Sequence, residues 1–362
     1  MKKSYRNSVI LTLALTFSAF NFTVERADAQ ADSVSVKSKT KAQSTPRKTA
    51  DAKNKPTPKP ADVPKSAVKT GEQIIVTGTN VIVWKEASTK STRLTAVKLG
   101  RILPVVKRGS SFYQVEYENG KDGWISTTFT RDYDADKRDS LYREIGDKQL
   151  KTQKINFTMA SETTEFLRTA AALVRTDEAR ADLSFKRLRY IAAALKAIPS
   201  DKGEKPLYKN FIRANEKDIV YSEPSAEWYV RAESLWDLRE KFAALPIAEE
   251  IARTAANTPI PGECEGYINC YLYNIRAADG EYLSLYPNGK YAQKSLANIG
   301  SYLEPLVADI KEKTVYTPPT DISDRAEFNR FLTELRSIIS KVPNIEKNKI
   351  LKQINQLGEG YK

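Results

Sequence analysis

The sequence predicts a multidomain protein in which a small all-β barrel is followed by an all-α domain of helical hairpins. Residues 72–133 hold short β-branched and aromatic runs separated by turn-forming residues. Residues 160–362 repeat apolar side chains at the three- and four-residue spacing of helices. Residues 1–71 carry too few apolar side chains outside one short run to form a core of their own.

Residues 1–29 have the pattern of a secretory signal peptide. Three basic residues precede an apolar run over residues 9–20, and Ala27-Asp28-Ala29 supplies the small residues of a signal-peptidase site. The run is shorter than the roughly 20 residues that a spanning helix needs, so a retained anchor is the less favoured alternative. We therefore expect an exported protein, periplasmic or cell-wall associated, with no integral membrane segment after cleavage.

Residues 30–71 consist mainly of Lys, Ser, Thr, Ala and Pro. Such a composition cannot offset the entropy of ordering, so it predicts a disordered linker that acts as a spacer. Between residues 30 and 70, ten Lys or Arg stand against three Asp and account for most of the formal net charge of +13. A polycationic tether to anionic envelope polymers is the alternative role. Because the charge lies here, the folded part gives no indication of nucleic-acid binding.

Residues 72–133 have the strand rhythm of a small barrel. The candidate strands lie at residues 74–76, 81–84, 102–106 and 112–117 and from residue 122 onward. Asn119-Gly120 predicts a type I′ hairpin turn, because both residue types tolerate positive φ. Five or six short strands within about sixty residues are typical of a small barrel.

Four segments of this region carry a resemblance to a known family. They are Val-Ile-Val-Trp-Lys-Glu-Ala-Ser from residue 81, Leu-Gly-Arg-Ile-Leu-Pro-Val from 99, Phe-Tyr-Gln-Val-Glu-Tyr from 112 and Asn-Gly-Lys-Asp-Gly-Trp-Ile-Ser from 119. In this order they resemble the bacterial SH3-like (SH3b) domain, over about a sixth of the chain. The chain departs from the family at residues 83–88, which lack the usual Arg, Gly and Pro. The resemblance implies a noncatalytic binding module, in exported proteins often directed to peptidoglycan peptides.

The candidate ligand-binding residues of the barrel groove are aromatic: Trp84, Phe112, Tyr113 and Trp124. Rigid aromatic side chains would support an extended peptide whose backbone pairs with polar groups. Core packing is the alternative role, and it is favoured for Trp124, two residues into the closing strand. Trp84 is the better ligand candidate, because it interrupts a β-branched run directly before a loop.

Beyond the barrel the pattern becomes helical. Residues 134–159 are charged and weakly periodic, which predicts a connector with some helix, and residues 160–362 form the all-α domain. Leu188, Ile191, Leu195 and Ile198 share one helical face. The segment from Trp228 to Leu245 predicts another, and Asp324-Arg325-Ala326-Glu327 has the character of a capping box.

Residues 280–303 predict an αα-hairpin turned at Tyr286-Pro287-Asn288-Gly289. This hairpin is similar to those of tetratricopeptide-like repeats, although no 34-residue period is visible elsewhere.

Cys264 and Cys270 are the only cysteines, which predicts a disulfide in an exported chain. The closed loop is short, so the bond would fix the start of one helix more than it stabilises the domain. A redox-active pair is the alternative, although such pairs usually have two intervening residues in a βαβ setting.

The chain contains no histidine, which removes Ser-His and Cys-His catalysis and most catalytic zinc sites. A glycosidase using paired carboxylates stays as a minor alternative. Its first candidates are Glu223, Glu227, Glu263 and Glu265, which are better explained as solvated surface residues. We therefore expect no catalytic site, no metal site and no cofactor.

These observations predict an exported, noncatalytic binding protein of the cell envelope. Its barrel would bind peptide segments, peptidoglycan peptides first, and its helical domain would contact a protein partner. The alternative is a periplasmic helical scaffold or assembly protein whose barrel binds another envelope protein.

Overall fold

A computed structural model describes residues 71–151, 155–200 and 202–361. The predicted signal peptide and all but the last residue of the predicted linker lie outside the described residues. Within the described part of the chain, no helix combines the length and the apolar character that crossing a bilayer requires.

Residues 73–132 form an antiparallel β domain of seven strands, one or two more than the sequence predicts. The strands are β1 (Gln73–Val76), β2 (Val81–Trp84), β3 (Arg93–Val97), β4 (Ile102–Arg108), β5 (Phe112–Glu118), β6 (Lys121–Ser126) and β7 (Thr130–Asp132). Their order in the sheet is β3-β2-β6-β5-β4-β1-β7. The short strand β7 follows a 3₁₀ turn, Thr127–Phe129, and pairs with β1.

Alternation along the strands builds the core of the β domain. In β2, Val81 and Val83 are buried while Ile82 and Trp84 are partly exposed, as expected for side chains that point to opposite faces. The buried members of this core are Ile74, Val76, Val81, Val83, Val97, Leu103, Val115 and Ile125. Burial along β2 therefore follows the two-residue period of a strand.

The hairpin between β5 and β6 turns at Asn119-Gly120, but its geometry differs from the prediction. Only Gly120 has a positive φ, of 70°, whereas a type I′ turn needs positive φ at both central residues. The register also shifts between Glu116 and Glu118, which indicates a bulge beside the turn. The extra residue lets a single glycine make the reversal.

The rest of the described chain is helical, with one added hairpin. The helices are α1 (Arg138–Leu150), α2 (Phe157–Leu173), α3 (Asp177–Lys196), α4 (Pro206–Ala214), α5 (Ala232–Lys241), α6 (Ala248–Ala256), α7 (Ile268–Ile275), α8 (Glu281–Leu285), α9 (Ala292–Ala308), α10 (Ile322–Ser340) and α11 (Lys347–Gly360). Strands β8 (Ile219–Ser222) and β9 (Glu227–Val230) form a two-stranded sheet. One π-helical turn, Arg276–Gly280, joins α7 to α8. The prediction of a β domain followed by a helical domain is confirmed.

The prediction of a helical face from Trp228 to Leu245 is wrong at its start. Trp228 lies in β9 and packs against Tyr221 of β8, with ring centroids 5.1 Å apart. Ala226 turns the hairpin with a φ of 51°, and α5 begins only at Ala232. The aromatic and β-branched residues on both sides of the turn favour strand over helix.

Side-chain caps set two of the helix starts. Thr176 caps α3 by accepting from the Ala179 N–H, so the apolar segment after residue 160 divides into α2 and α3. Asp321 caps α10 by accepting from the Asp324 N–H, so this helix begins before the predicted capping box.

Two helical cores lie along the described chain. The first combines α1 to α6 with Ile75 and Leu99 of the β domain. Tyr142 and Ile145 of α1 are buried in it, so the segment predicted as a connector contributes to the packing. The second core is built from α6 to α11, and Trp236 of α5 packs against both cores.

The β domain and the first helices are also joined by hydrogen bonds. The Glu162 carboxylate on α2 accepts from the backbone N–H groups of Asn80 and Leu99. Gln149 of α1 donates from Nε2 to the Thr77 carbonyl oxygen over 3.0 Å. Helices α1 and α2 are therefore each held to the β domain by a side chain that reaches its turns.

The predicted αα-hairpin is present as α8 and α9, joined through Tyr286-Pro287-Asn288-Gly289. Tyr282 of α8 is fully buried, and its hydroxyl donates to Glu249 of α6 and accepts from the Tyr291 N–H. The similarity to tetratricopeptide-like repeats stays a prediction.

Cys264 and Cys270 are joined in a disulfide, with their Cα atoms 5.4 Å apart. Cys270 belongs to the first turn of α7, so the bond holds this helix start to the preceding loop, as predicted. Asn274, one turn further along α7, donates from Nδ2 to the Cys264 sulfur over 3.4 Å.

Removal of the disulfide is expected to cost a modest amount of stability. A loop this short gives an entropic stabilisation of about 2 kcal/mol in the chain-entropy description. Thermal unfolding with and without dithiothreitol measures the loss. The Cys264→Ala/Cys270→Ala double variant is the control, because a chain with no other cysteine should then ignore the reductant. Equal melting of the oxidised and reduced protein would contradict the expected stabilisation.

Candidate functional site

Strand pairing brings three of the four predicted aromatic residues to the outward face of the β domain. Trp84 of β2 is directly opposite Trp124 of β6, so their Cβ atoms lie about 5 Å apart. Phe112 is opposite Ser126, the next outward residue of β6 after Trp124. All three aromatic side chains are partly exposed, and none belongs to the described core of the domain.

A glycine permits the approach of the two tryptophan-bearing strands. Gly123 precedes Trp124 and points inward, and a Cβ built on it would lie 2.4 Å from Cγ1 of Val83. Since real side chains do not approach so closely, β6 can pair with β2 at this register only with glycine here. The Gly-Trp motif therefore positions Trp124 beside Trp84.

The register continues the pair into a row across five strands. Arg93 of β3 is opposite Trp84, Gln114 of β5 is opposite Trp124, and Lys107 of β4 is opposite Gln114. We call this row, with Phe112 beside it, the tryptophan ledge: Arg93, Trp84, Trp124, Gln114, Lys107 and Phe112. At the usual strand spacing its length is roughly 19 Å. Two aromatic rings and an amide thus lie between two exposed cationic residues.

The next outward-facing position along β5 and β6 carries acidic residues. Glu116 of β5 is opposite Asp122 of β6, and both flank the Gln114–Trp124 pair. The face therefore has cations at the two ends of the ledge and carboxylates on one side. A ligand that lies along the ledge would meet both kinds of charge at defined positions.

Tyr113, the fourth predicted residue, is not on the ledge. It follows Phe112 in β5, so its side chain points to the opposite face and packs against the core of the β domain. The Arg108 guanidinium carbon lies over its ring, 4.9 Å from the ring centroid. Two hydrogen bonds raise the pKa of Arg108 above its ordinary value: the larger effect comes from the bond to Glu72 and the smaller from the bond to Asp132. Tyr113 is therefore a packing residue at the edge of the core.

Trp124 is also placed differently from its favoured assignment. The sequence favours core packing for this residue, yet it shares the outward face with Trp84. Gln114, Arg93 and Lys107 have no distinguishing sequence motif, because their common position depends on cross-strand register.

The four candidate carboxylates occupy two separate exposed segments. Glu223 and Glu227 lie on the β8–β9 hairpin, where Glu227 accepts from the Tyr229 hydroxyl over 2.8 Å. Glu265 lies in the loop closed by the disulfide, and Glu263 directly precedes Cys264. All four are exposed. A general acid of a glycosidase usually lies in a desolvated pocket, and all four positions are instead on the surface.

The fold and the ledge define a class: a small antiparallel β domain with aromatic side chains on its outward face. Residues 79–130 match the family described as Bacterial SH3 domain, so this part of the chain is a bacterial SH3 domain. The resemblance seen in the sequence is thereby confirmed. No curated protein and no solved structure matches the chain. The match indicates a binding module of a kind often related to the cell wall, and together with the disulfide it fits an exported protein.

Proposed function

We propose that this protein is an exported, noncatalytic binding protein of the cell envelope whose SH3 domain binds peptide segments on the tryptophan ledge. Peptidoglycan peptides are the leading ligand class. The observation that carries the proposal is the direct pairing of Trp84 with Trp124 on the outward face of a bacterial SH3 domain. Paired indole rings that are partly exposed give a rigid apolar surface at little entropic cost.

The ledge offers each kind of contact that an extended peptide needs. The indole faces of Trp84 and Trp124 would contact apolar side chains and peptide planes, and the Gln114 amide would both donate to and accept from the peptide backbone. Arg93 and Lys107 at the ends would attract carboxylates of the peptide, in a salt-dependent manner because both are exposed.

Two further observations support the noncatalytic and exported parts of the proposal. The absence of histidine removes the most common general base and metal ligand. The signal-peptide pattern of residues 1–29 and the cysteine pair both suit a compartment outside the cytoplasm.

Trp84→Ala is expected to weaken sedimentation with purified peptidoglycan about tenfold or more, since truncation of a central tryptophan commonly costs 2 kcal/mol or more at an interface. The melting temperature should change little, because Trp84 is partly exposed and outside the core. The measurement is a co-sedimentation titration of the purified chain with sacculi, paired with a thermal melt. Tyr302→Ala is the matched control, an aromatic residue on α9 that is 59% exposed.

The same assay separates the alternatives. Sedimentation that is unchanged in Trp84→Ala would remove the ledge as the site. Capture of an envelope protein without binding to sacculi would favour the scaffold. Release of muropeptides by the unmodified chain would contradict the noncatalytic assignment.

A further inference from the structure

A cleft of about 590 Å³ lies in the helical part and is formed by residues outside the SH3 domain. Its walls come from α5, from α7 with the π-helical turn, from α8 and from α10. Trp236 at one side packs against both helical cores, so the cleft opens where the two cores meet. Ligand sites are common at such junctions, because two packed bodies leave a preformed concavity between them.

Aromatic side chains form the floor and the walls of this cleft. Phe331 of α10 is buried with 5% exposure, and the Tyr273 ring of α7 lies 6.1 Å from it. Tyr273 itself is 49% exposed, and Trp236 opposite is partly exposed. Exposed aromatic faces beside a buried apolar floor provide a surface on which a flat ligand can stack.

The π-helical turn supplies the central polar group. Residues five apart in an α-helix lie about 140° apart around its axis, so Arg276 and Glu281 would not meet on a regular helix. Across the π turn, Arg276 donates from Nη1 to Glu281 over 2.5 Å and from Nε to Glu334 of α10 over 3.0 Å. π turns are rare and are frequent at functional sites. Here the turn fixes a guanidinium between two carboxylates at the cleft.

The polar lining is balanced between donors and acceptors. Three arginines line the cleft together with three glutamates, the latter being Glu240, Glu281 and Glu334. One of the arginines, Arg239, is fixed by donating from Nε to the Tyr286 hydroxyl over 3.0 Å. Equal numbers of cations and anions give no net attraction for a charged ligand. They do give adjacent donors and acceptors, and Arg276, Glu281 and Glu334 among them are held by their mutual hydrogen bonds.

We propose that this cleft binds a neutral saccharide segment. A hydroxyl group both donates and accepts, so it can bridge an arginine N–H and a glutamate oxygen that lie side by side. A pyranose ring also has an apolar C–H face that stacks on Tyr273 and Trp236. A strongly cationic or anionic ligand would instead meet one repelling group for each attracting one. The balance of charge together with the aromatic walls therefore favours a polyol over an ionic peptide.

The test titrates the purified chain with two soluble neutral probes, a tetramer of N-acetylglucosamine and a tetramer of glucose, by calorimetry. We expect at least one probe to bind with a Kd of about 1 mM or tighter. Tyr273→Ala should weaken that binding about tenfold, because an aromatic stacking contact is removed at an exposed position. Tyr302→Ala changes a tyrosine of similar exposure on α9, outside the cleft lining, and Trp84→Ala changes the ledge. Both variants should bind as the unmodified chain does.

Three outcomes would overturn the proposal. In the first, neither saccharide probe binds the unmodified chain. In the second, a probe binds Tyr273→Ala as well as it binds the unmodified chain. In the third, a zwitterionic tripeptide binds in a Tyr273-dependent way while the saccharides do not bind. A Glu334→Gln variant tests whether a loss of binding comes from misfolding. It keeps the side-chain volume at position 334 and leaves Arg276 paired with Glu281. Its saccharide affinity should fall while its melting temperature stays close to that of the unmodified chain.

Discussion

Gly100→Ala is expected to lower the free energy of unfolding by about 3 kcal/mol. A Cβ on Gly100 would lie 2.2 Å from Cδ2 of Phe166 on α2, where the β domain meets the helices. Overpacking of this kind costs typically 1–3 kcal/mol, and the φ of 79° at Gly100 adds about 1 kcal/mol for a residue with a side chain. The ring cannot withdraw freely, because Phe166 is itself part of the first helical core.

Gly120→Ala isolates the contribution of the collision. Gly120 has a similar φ, of 70°, but a Cβ there would meet no atom within 4 Å. We therefore expect this variant to lose only about 1 kcal/mol, the cost of left-handed backbone alone. Chemical denaturation of the two variants beside the unmodified chain gives the comparison. Equal losses would show that Gly100 is not in close contact with α2.

The β domain is predictable from the sequence because its signals are local. The β-branched runs, the Asn-Gly turn and the Gly-Trp motif each act over a few residues, and five of the seven strands, all except β3 and β7, form where these patterns place them. Tyr113 also shows what alternation could have decided. It is two residues from the buried Val115, so the period of the strand already directs it inward.

The tryptophan ledge is only partly predictable, because it depends on register. Trp84 and Trp124 are visible as candidates, yet their pairing depends on an irregularity between Val83 and Trp84 and on the inward Gly123. Gln114 and Lys107 join the row through pairing alone. A shift of one residue would exchange the two faces of a strand, so a single sequence leaves the composition of the ledge open.

The structure of the helical part cannot be predicted from the sequence where the apolar pattern is sparse or the helix is irregular. Helix α1 is strongly charged, and its burial rests on a few residues such as Tyr142 and Ile145. Strands β8 and β9 have four residues each, too few to show alternation against helical spacing. The π turn has no sequence signature, because Arg276 to Gly280 also fits a regular helix. The proposed saccharide cleft can therefore be recognised only from the three-dimensional structure.

The π turn connects the proposed saccharide cleft to the interior of the second core. Arg276 lies on the outer side of the turn, and Asp279 lies on the inner side with its side chain 4% exposed. Asp279 accepts from Nη1 of Arg253 over 2.7 Å and from Nδ2 of Asn298 over 3.0 Å. The buried ion pair therefore holds the turn whose other face positions the guanidinium of the cleft.

Asp279→Ala is expected to lower the free energy of unfolding by about 3–5 kcal/mol, because it leaves the Arg253 guanidinium buried without its carboxylate. The Arg253 side chain is only 8% exposed, so water cannot replace the lost partner easily. Denaturant unfolding followed by circular dichroism gives the loss. In the absence of denaturant, the variant should also bind the saccharide probes more weakly than the unmodified chain. The reason is that the π turn loses the buried ion pair that holds it.

Two comparisons test this explanation of the Asp279 effect. Glu165→Ala removes one partner of the exposed Arg168–Glu165 pair and should cost about 0.5 kcal/mol or less, because solvent screens both charges. The double variant Arg253→Met/Asp279→Leu removes both buried charges and should be more stable than Asp279→Ala, since no unpaired ion is left inside. Part of the loss should remain, because Arg253 also donates to Ser295 and Asn257 over 2.7 Å. A double variant less stable than Asp279→Ala would mean that packing at Asp279, rather than the unpaired guanidinium, controls the stability of the turn.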